Sequence, residues 1–251
     1  MSKKVSLKQF LMKTGRHQNS SECIVEIRNG KITINNKIID NPNYFFNPKK
    51  SIIKYNNEKL KKISNIYFIM NKPAGYLSQK STGEKTVYDL FENLDISKES
   101  KNSLYAVGRL DKYTEGLLLI TNDGELSNLI MSPENMIIKK YYALLEKSAD
   151  INKIKLLEKG MEIEIDRGKY KTKPCKVKIV GEKEIYISIS EGKKRQIRKM
   201  FEKIDNKVVY LKRVSIGGLQ LGKLAVGEIK AISRDDIYGK LEIQRQKIYI
   251  K

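Results

Sequence analysis

The sequence predicts an α+β protein built as two units, a small one over residues 1–60 and a larger one over 63–251. Three features lead there. Apolar residues within the first sixty fall first at helical spacing and then at period two. A polar stretch, Asn56-Asn57-Glu58-Lys59-Leu60-Lys61-Lys62, reads as a linker. The apolar run Ile66-Tyr67-Phe68-Ile69-Met70 then opens a longer series in which strand-like runs alternate with helical stripes. A chain of 251 residues is long enough for a sizeable core in one domain or two.

The elements follow in order. Leu7, Phe10 and Leu11 stand at i, i+3, i+4, one face of a helix. Asn19, three residues before Glu22, reads as an N-cap, and Cys23, Ile24 and Ile27 form the inward face of a second helix. Asn29-Gly30 closes that helix. Ile32 and Ile34 alternate with Lys31 and Thr33 in a half-buried strand, Asn35-Asn36 suits a tight hairpin turn, and Lys37-Ile38-Ile39 returns. Lys8, Lys13, Arg16, Arg28 and Lys31 flank this helix–helix–hairpin pattern. Further on, Gly108 permits a bend, Arg109-Leu110-Asp111 forms a polar loop, and Leu117 to Ile120 is a buried strand. Asp123-Gly124 caps a helix whose face is Leu126, Leu129 and Ile130. Tyr141-Tyr142-Ala143-Leu144-Leu145 is a strand in which the two tyrosines point to opposite faces, so that one can be core and the other site. Ile197, Met200, Phe201 and Ile204 make a helical stripe, with Lys193, Lys194, Arg195 and Lys199 largely off it and Arg198 at its flank.

Charge is the strongest compositional signal. Fifty Lys plus Arg against 29 Asp plus Glu give +21. Such a field attracts polyanions, nucleic acid first and an anionic membrane second. Abundant Lys, Asn and Ile, as AT-rich coding produces, accounts for part of the lysine excess but not for its clustering. No amphipathic helix with Trp or Phe anchors supports a membrane-surface role, and no apolar run approaches the ~20 residues that span a bilayer. The first residues carry no apolar signal core, so a cytoplasmic protein is expected. Cys23 and Cys175 stand far apart and form no CxxC pair, which indicates neither a zinc ribbon nor a disulfide framework. His17 is the only histidine, which removes His-based triads and His–metal sites. Catalysis is left to carboxylates, Lys, Arg, Tyr or hydroxyls, with neither cofactor nor metal expected. A carboxylate in a loop just before a buried strand is well placed for such chemistry, although most aspartates so placed are turn residues.

Residues 107–124, Val-Gly-Arg-Leu-Asp-Lys-Tyr-Thr-Glu-Gly-Leu-Leu-Leu-Ile-Thr-Asn-Asp-Gly, resemble the catalytic motif of the RsuA/RluB branch of pseudouridine synthases. Asn71-Lys72-Pro73-Ala74-Gly75 resembles that family's first motif, Lys140-Tyr141-Tyr142 its Lys-x-Tyr motif, and residues 191–200, from Glu191 to Met200, its third. The first unit resembles the S4-type RNA-binding module, with Ile34-Asn35-Asn36 where many members carry Val-Asn-Gly; Asn is tolerable there because it visits the left-handed region more readily than most residues. The resemblance spans nearly the whole chain and implies a catalytic domain on a mixed, mostly antiparallel sheet behind an S4-like module.

It also implies roles. Asp111 is the essential carboxylate, which either attacks C1′ of the ribose or removes a sugar proton. The N1–C1′ bond breaks, the uracil turns, and C5 bonds to C1′; substrate and product are isomers, so no redox, energy or metal input is needed. Tyr142 lies against the target base and helps the late proton transfer from C5. Arg198 pairs with Asp111, keeping it ionised and oriented. Arg109 helps to open the RNA and hold the flipped nucleotide. Lys193, Lys194, Arg195 and Lys199, with Lys8, Lys13, Arg16, Arg28 and Lys31, contact RNA. The expected substrate is ribosomal RNA and the expected state a monomer. The alternatives are a synthase acting on tRNA and a catalytically silent RNA-binding or ribosome-assembly factor; intact Asp111, Tyr142 and Arg198 argue against silence.

Overall fold

The computed structural model describes residues 4–17, 19–60, 63–166 and 168–241. The first three residues, Lys61 and Lys62 of the expected linker, and the last ten residues of the larger unit lie outside them. The chain forms two compact units, residues 1–66 with 91–105, and residues 67–90 with 106–251. The expected boundary at 60–63 therefore moves to residue 66, and the first unit also takes a stretch from the middle of the chain. Gly15 illustrates why that stretch belongs to it: Gly15 has φ +64°, and a Cβ there would fall 1.7 Å from the backbone oxygen of Glu99.

In the first unit, α1 (Leu7–Met12) starts at a reciprocal cap. Ser6 Oγ accepts from Gln9 N and Gln9 Oε1 accepts from Ser6 N, both at 3.2 Å. α2 (Ser20–Arg28) starts where Asn19 Oδ1 accepts from Glu22 N at 2.9 Å, and Gly30 follows its end at φ +69°. β1 (Ile32–Ile34) turns through Asn35-Asn36, at φ 50° and 65°, into β2 (Lys37–Ile38). β3 (Ile53–Tyr55) turns through Asn56-Asn57, at φ 46° and 68°, into β4 (Glu58–Lys59). The sheet order is β2-β1-β3-β4, antiparallel throughout. The linker expected from Asn56 onward is thus a second hairpin for four of its residues. Its return strand is two residues long and exposed, and such an edge strand has no apolar alternation to announce it. Leu7, Leu11, Ile27 and Ile32 are fully buried in the core of this unit.

Beside that core sits a buried polar cluster. His17 is 1% exposed and its Nε2 lies 2.7 Å from Glu26 Oε2. Lys31 Nζ donates to Glu26 Oε1 at 3.1 Å, and the Tyr55 phenol also bonds Glu26. Burial works to raise the Glu26 carboxyl, but the bonds from Tyr55, His17 and Lys31 together hold it down at about 2. Its folded value lies below the ordinary 4.5, so the stability it contributes is present above that pH and lost as the pH falls toward 2. Wild type is expected to lose more melting temperature than Glu26→Gln across that window. Parallel melting curves against pH for the two proteins would count against the cluster.

The second unit is built on one mixed sheet. Among the described residues, seven of its nine strands form one continuous path, β5 (Tyr67–Lys72), β6 (Glu115–Thr121), β7 (Lys139–Leu145), β10 (Lys176–Ile179), β11 (Glu184–Ile189), β12 (Val208–Ile216) and β13 (Ile229–Ala231), and β8 (Glu162–Ile165) with β9 (Gly168–Lys171) forms a separate hairpin. The order is β10-β11-β7-β12-β6-β5-β13, antiparallel at every junction except the parallel β12–β6 pair. The expected mixed, mostly antiparallel sheet is what forms. Leu117, Leu118, Leu119 and Ile120 are fully buried, as a continuous apolar run requires. Asp123 caps α3 (Gly124–Met131) by accepting from Glu125 N and Leu126 N. α4 (Ile151–Glu158) buries Ile154 and Leu157, and α5 (Gln196–Glu202) buries Ile197, Met200 and Phe201, with Ile204 buried just beyond. One sheet face is apolar: Tyr141, Ala143, Leu145, Ile185, Ile187 and Ile189 are all buried. The alternate residues face the other way.

Candidate active site

The loop before β6 is fastened at nearly every residue. Gly108 stands at φ +67°, and its carbonyl accepts from Arg213 Nη2 at 2.9 Å; Arg213 Nε also donates to Leu117 O at 2.7 Å. Ser78 Oγ donates to Leu110 O at 2.8 Å and accepts from Leu110 N at 3.1 Å. Gly75 N donates to Lys112 O at 2.8 Å, and Thr114 N to Asp111 O at 3.0 Å. Lys72 Nζ donates to the carbonyls of Pro73, Lys112 and Thr114 at 2.9, 3.1 and 3.0 Å. Lys72 is fully buried; burial brings its pKa down to about 8, against the pull of the Glu115 and Asp111 carboxylates. Amid this frame the Asp111 side chain is half-buried and that of Arg109 is exposed. The bonds named here hold the backbone of the loop, and they are made to backbone atoms rather than to the Asp111 or Arg109 side chains.

Arg198 lies near Asp111 without an ion pair to it among the described residues. Its Nη1 donates instead to Val208 O. Burial first, and then the neighbouring Arg195 charge, push the Arg198 guanidinium below its ordinary value, while Asp111 and Glu202 pull the other way. The expected direct pair is therefore corrected: the two charges feel each other, but the Val208 carbonyl accepts the bond from Nη1. A half-buried guanidinium needs acceptors for its donors, and the start of β12 supplies one at contact distance.

Tyr142 shares the open sheet face with a transverse row. Lys178 pairs with Tyr186, Tyr186 with Tyr142, Tyr142 with Lys212, and Lys212 with Glu115. Tyr142 Oη donates to Glu184 Oε2 at 2.8 Å, and Tyr210 Oη donates to Glu115 Oε2 at 2.7 Å. The Tyr142 ring meets Tyr186 and Tyr210 edge to face, at 5.6 and 6.2 Å between centroids. Because Glu115 stands level with Lys212 in a parallel pair, Asp111 lies off the same end of the sheet as Val208. Arg198, bonded to Val208 O, and Tyr210, bonded to Glu115, lie toward that end.

The expected RNA contacts divide. Lys193 is exposed over the Tyr170 ring at 4.5 Å, Lys194 pairs with Asp166 at 3.0 Å, Arg195 is exposed at φ 54°, and Lys199 Nζ donates to Glu164 O at 2.7 Å. In the first unit Arg28 is exposed, Arg16 covers the Tyr55 ring at 4.0 Å, Lys31 is bound to Glu26, and Lys8 and Lys13 are half-buried. Lys72 is visible in the sequence only as a member of the 71–75 motif, and Ser78, Arg213 and Glu184 are not singled out there at all. A lysine inside the apolar strand 67–72, and an arginine at an inward position of the alternating strand 208–216, were the available signals for two of them.

Residues 66–203 match the family described as RNA pseudouridylate synthase. The chain belongs to the RNA pseudouridylate synthase family. As a member it is an isomerase acting on RNA. The ribosomal large subunit pseudouridine synthase B of Bacillus subtilis is 33% identical over 219 residues, 84% of this chain and 85% of that protein. The ribosomal small subunit pseudouridine synthase A of Escherichia coli is 30% identical over 213 residues, covering 84% and 90%. A crystal structure of a pseudouridylate synthase superposes with a TM-score of 0.67 at 30% identity, over 94% of this chain and 99% of that one.

For a pseudouridine synthase the Arg198 geometry sets an expectation. Arg198→Met keeps much of the stem packing but removes the charge beside Asp111 and the donor to Val208, so activity falls far more than melting temperature. Arg198→Lys restores charge without the planar fork and is intermediate. Lys199→Met weakens RNA binding modestly. Steady-state rates, melts and RNA affinities of the three proteins check this; equal behaviour of Arg198→Met and Lys199→Met would remove any special tie to Asp111.

Proposed function

We propose that the enzyme isomerises a specific uridine of ribosomal RNA, with Asp111 as the carboxylate that acts on the ribose, Tyr142 against the target base and Arg198 beside the carboxylate. The observation that carries this is the fastened loop: seven backbone groups from Gly108 to Thr114 are tied down, while Asp111 is half-buried and Arg109 exposed. A carboxylate positioned in advance acts on an electron-poor anomeric carbon or its neighbouring proton without reorganisation at the moment of reaction. Arg109, exposed two residues earlier, is placed to fill the space left by a nucleotide drawn out of its stack. Ribosomal RNA is supported by the two relatives with ribosomal names. The test is a pseudouridine map of ribosomal and transfer RNA from cells with and without the gene. A ribosomal position that depends on the gene is the expected result; a dependence confined to transfer RNA would redirect the assignment.

The first unit is read as an S4-like RNA anchor. Support comes from its two capped helices, its hairpins, and exposed Arg16 and Arg28 in a chain of charge +21. Arg16→Ala and Arg28→Ala are expected to weaken RNA binding and to flatten its salt dependence, by about 0.7 in log–log slope for each single-strand phosphate no longer neutralised. Filter binding across a salt series checks this. An unchanged slope in both variants would mean that these residues touch no phosphate.

A further inference from the structure

We propose that Glu191 and Gln196 are positioning residues that tie the hairpin β8–β9 to α5 and so set Arg198 beside Asp111. This rests on the reading of Arg198 as the residue beside the carboxylate. Glu191 is buried, and donors from three segments converge on its carboxylate. Lys173 N and Gln196 Nε2 donate to Oε1 at 2.9 and 2.7 Å, and Tyr170 Oη donates to Oε2 at 2.5 Å. Tyr170 belongs to β9, Lys173 follows that strand, and Gln196 opens α5. Burying a carboxylate is costly, and these three donors offset the cost. The bond to Glu191, with burial second, raises the Tyr170 hydroxyl to about 12, so the phenol keeps the proton it donates.

Gln196 carries the link into the helix. It is buried. Its Nε2 reaches Glu191, its Oε1 accepts from Lys193 N at 2.9 Å, and its own N donates to Lys193 O at 3.0 Å. These bonds close the turn 193–196, within which Arg195 stands at φ 54°. An L side chain occupies that left-handed region at a cost and keeps it only where its surroundings hold it. Arg198 follows two residues after Gln196 on α5. The charges of Arg195 and Asp111 act on its guanidinium in opposite senses, so all three groups are near one another. The hairpin grips the same segment twice more. Lys199 Nζ donates to Glu164 O at 2.7 Å, and Lys194 meets Asp166 at 3.0 Å. The stem of Arg198 is thus set by α5 and its tip by Val208 O.

The link gives the hairpin, a two-stranded sheet of its own, a task in the reaction. A shift of the turn 193–196 carries α5 with it and moves the guanidinium relative to Asp111. Misplacement by ~1 Å, even from a change far from the chemistry, costs on the order of 10²-fold in rate. Lys193 and Lys194 are exposed and keep their charges whatever the turn does. The effect therefore falls on the rate at saturation rather than on RNA affinity.

The test uses the full-length enzyme on total ribosomal and transfer RNA from cells lacking the gene. It reads the single-turnover rate at saturating enzyme and the half-saturating concentration. Gln196→Leu fills the buried space beside Met200 Sδ, 3.8 Å from Gln196 Nε2, and gives up the side-chain bonds to Glu191 and Lys193. It is expected to slow the saturated rate on the order of 10²-fold, with half-saturation little changed. Gln196→Glu sets two carboxylates against each other and is expected to be at least as slow; Glu191→Gln added to it restores a donor between them and recovers much of the rate. In an Arg198→Met background the Gln196→Leu loss is expected to vanish, because both changes remove one contribution. A loss of equal size in the two backgrounds overturns the proposal and leaves Gln196 a structural support. A wild-type rate for Gln196→Leu overturns it as well. Should Gln196→Leu melt below the assay temperature, Tyr170→Phe, which removes one donor from Glu191, is put through the same cycle with a smaller expected loss, and an equal loss in both backgrounds again overturns it. Full activity of Arg198→Met overturns instead the reading of Arg198.

Discussion

Asp111→Asn is expected to leave an enzyme that folds and binds RNA but forms no measurable pseudouridine, a loss on the order of 10³-fold or more. Stability is spared because the loop is held through backbone: it is the Asp111 carbonyl that accepts from Thr114 N, and the half-buried carboxylate carries no ion pair among the described residues. Asn keeps the shape and can neither attack C1′ nor remove a proton. RNA affinity is expected to be spared, because the basic groups proposed to meet phosphates lie elsewhere in the chain. The measurement is single-turnover product formation by purified wild type and Asp111→Asn at equal RNA saturation, with a melt of each. Appreciable turnover by the variant, free of wild-type contamination, would sink the assignment.

Lys72→Met is expected to have the second-largest effect, and on two observables at once. The substitution removes the donor from three carbonyls, those of Pro73, Lys112 and Thr114. Lys112 O keeps its bond from Gly75 N, so Pro73 O and Thr114 O are the ones that lose a donor; a buried acceptor left without one costs ~1 kcal/mol or more, relief of a buried ammonium offsets part of that, and a net destabilisation of about 1–3 kcal/mol follows. Activity falls by more than the unfolded fraction explains, because Lys112 and Thr114 lie on either side of the reactive loop's last turn. The pH dependence has a definite sign. The folded pKa of about 8 lies below the ordinary 10.5, so the burial penalty is complete below pH 8 and is relieved as the pH rises through the interval. Wild type should gain stability over Lys72→Met across that range. Identical melts and rates for the two proteins would show that the loop does not depend on Lys72.

What could be read from the sequence was what depends on neighbours in the chain. Leu117 to Ile120 announced a buried strand, Asp123 a cap, and Ile197, Met200, Phe201 and Ile204 the inner stripe of a helix, because spacing alone carries those signals. Asn35-Asn36 was legible as a turn, whereas the same pair at 56–57 was taken into a linker, since the strand after it is short and exposed. The supports of the site were not legible. Arg213 reaches Leu117 and Gly108, 96 and 105 residues away, and Lys72 reaches Lys112 and Thr114 across 40 and 42. Such contacts follow from sheet order and register, which periodicity does not encode. Arg198 was placed near Asp111 but not on it, because the competing acceptor is a backbone carbonyl at Val208, and carbonyls have no sequence signature.

The stretch 91–105 that completes the first unit has a consequence for how the chain is made. Synthesis is vectorial, so the N-terminal module cannot acquire its last contacts when residue 66 emerges. At ~5–20 residues per second its missing piece follows roughly 2–8 s later. During that interval the strand Tyr67–Lys72, all six residues of which are buried in the finished protein, is already exposed and its sheet partners from residue 115 onward are not yet made. Nascent chains in which Tyr67–Lys72 has left the ribosome and residues 91–105 have not should therefore be the most dependent on chaperones, and protease resistance of the N-terminal module should rise only once residue 105 has emerged.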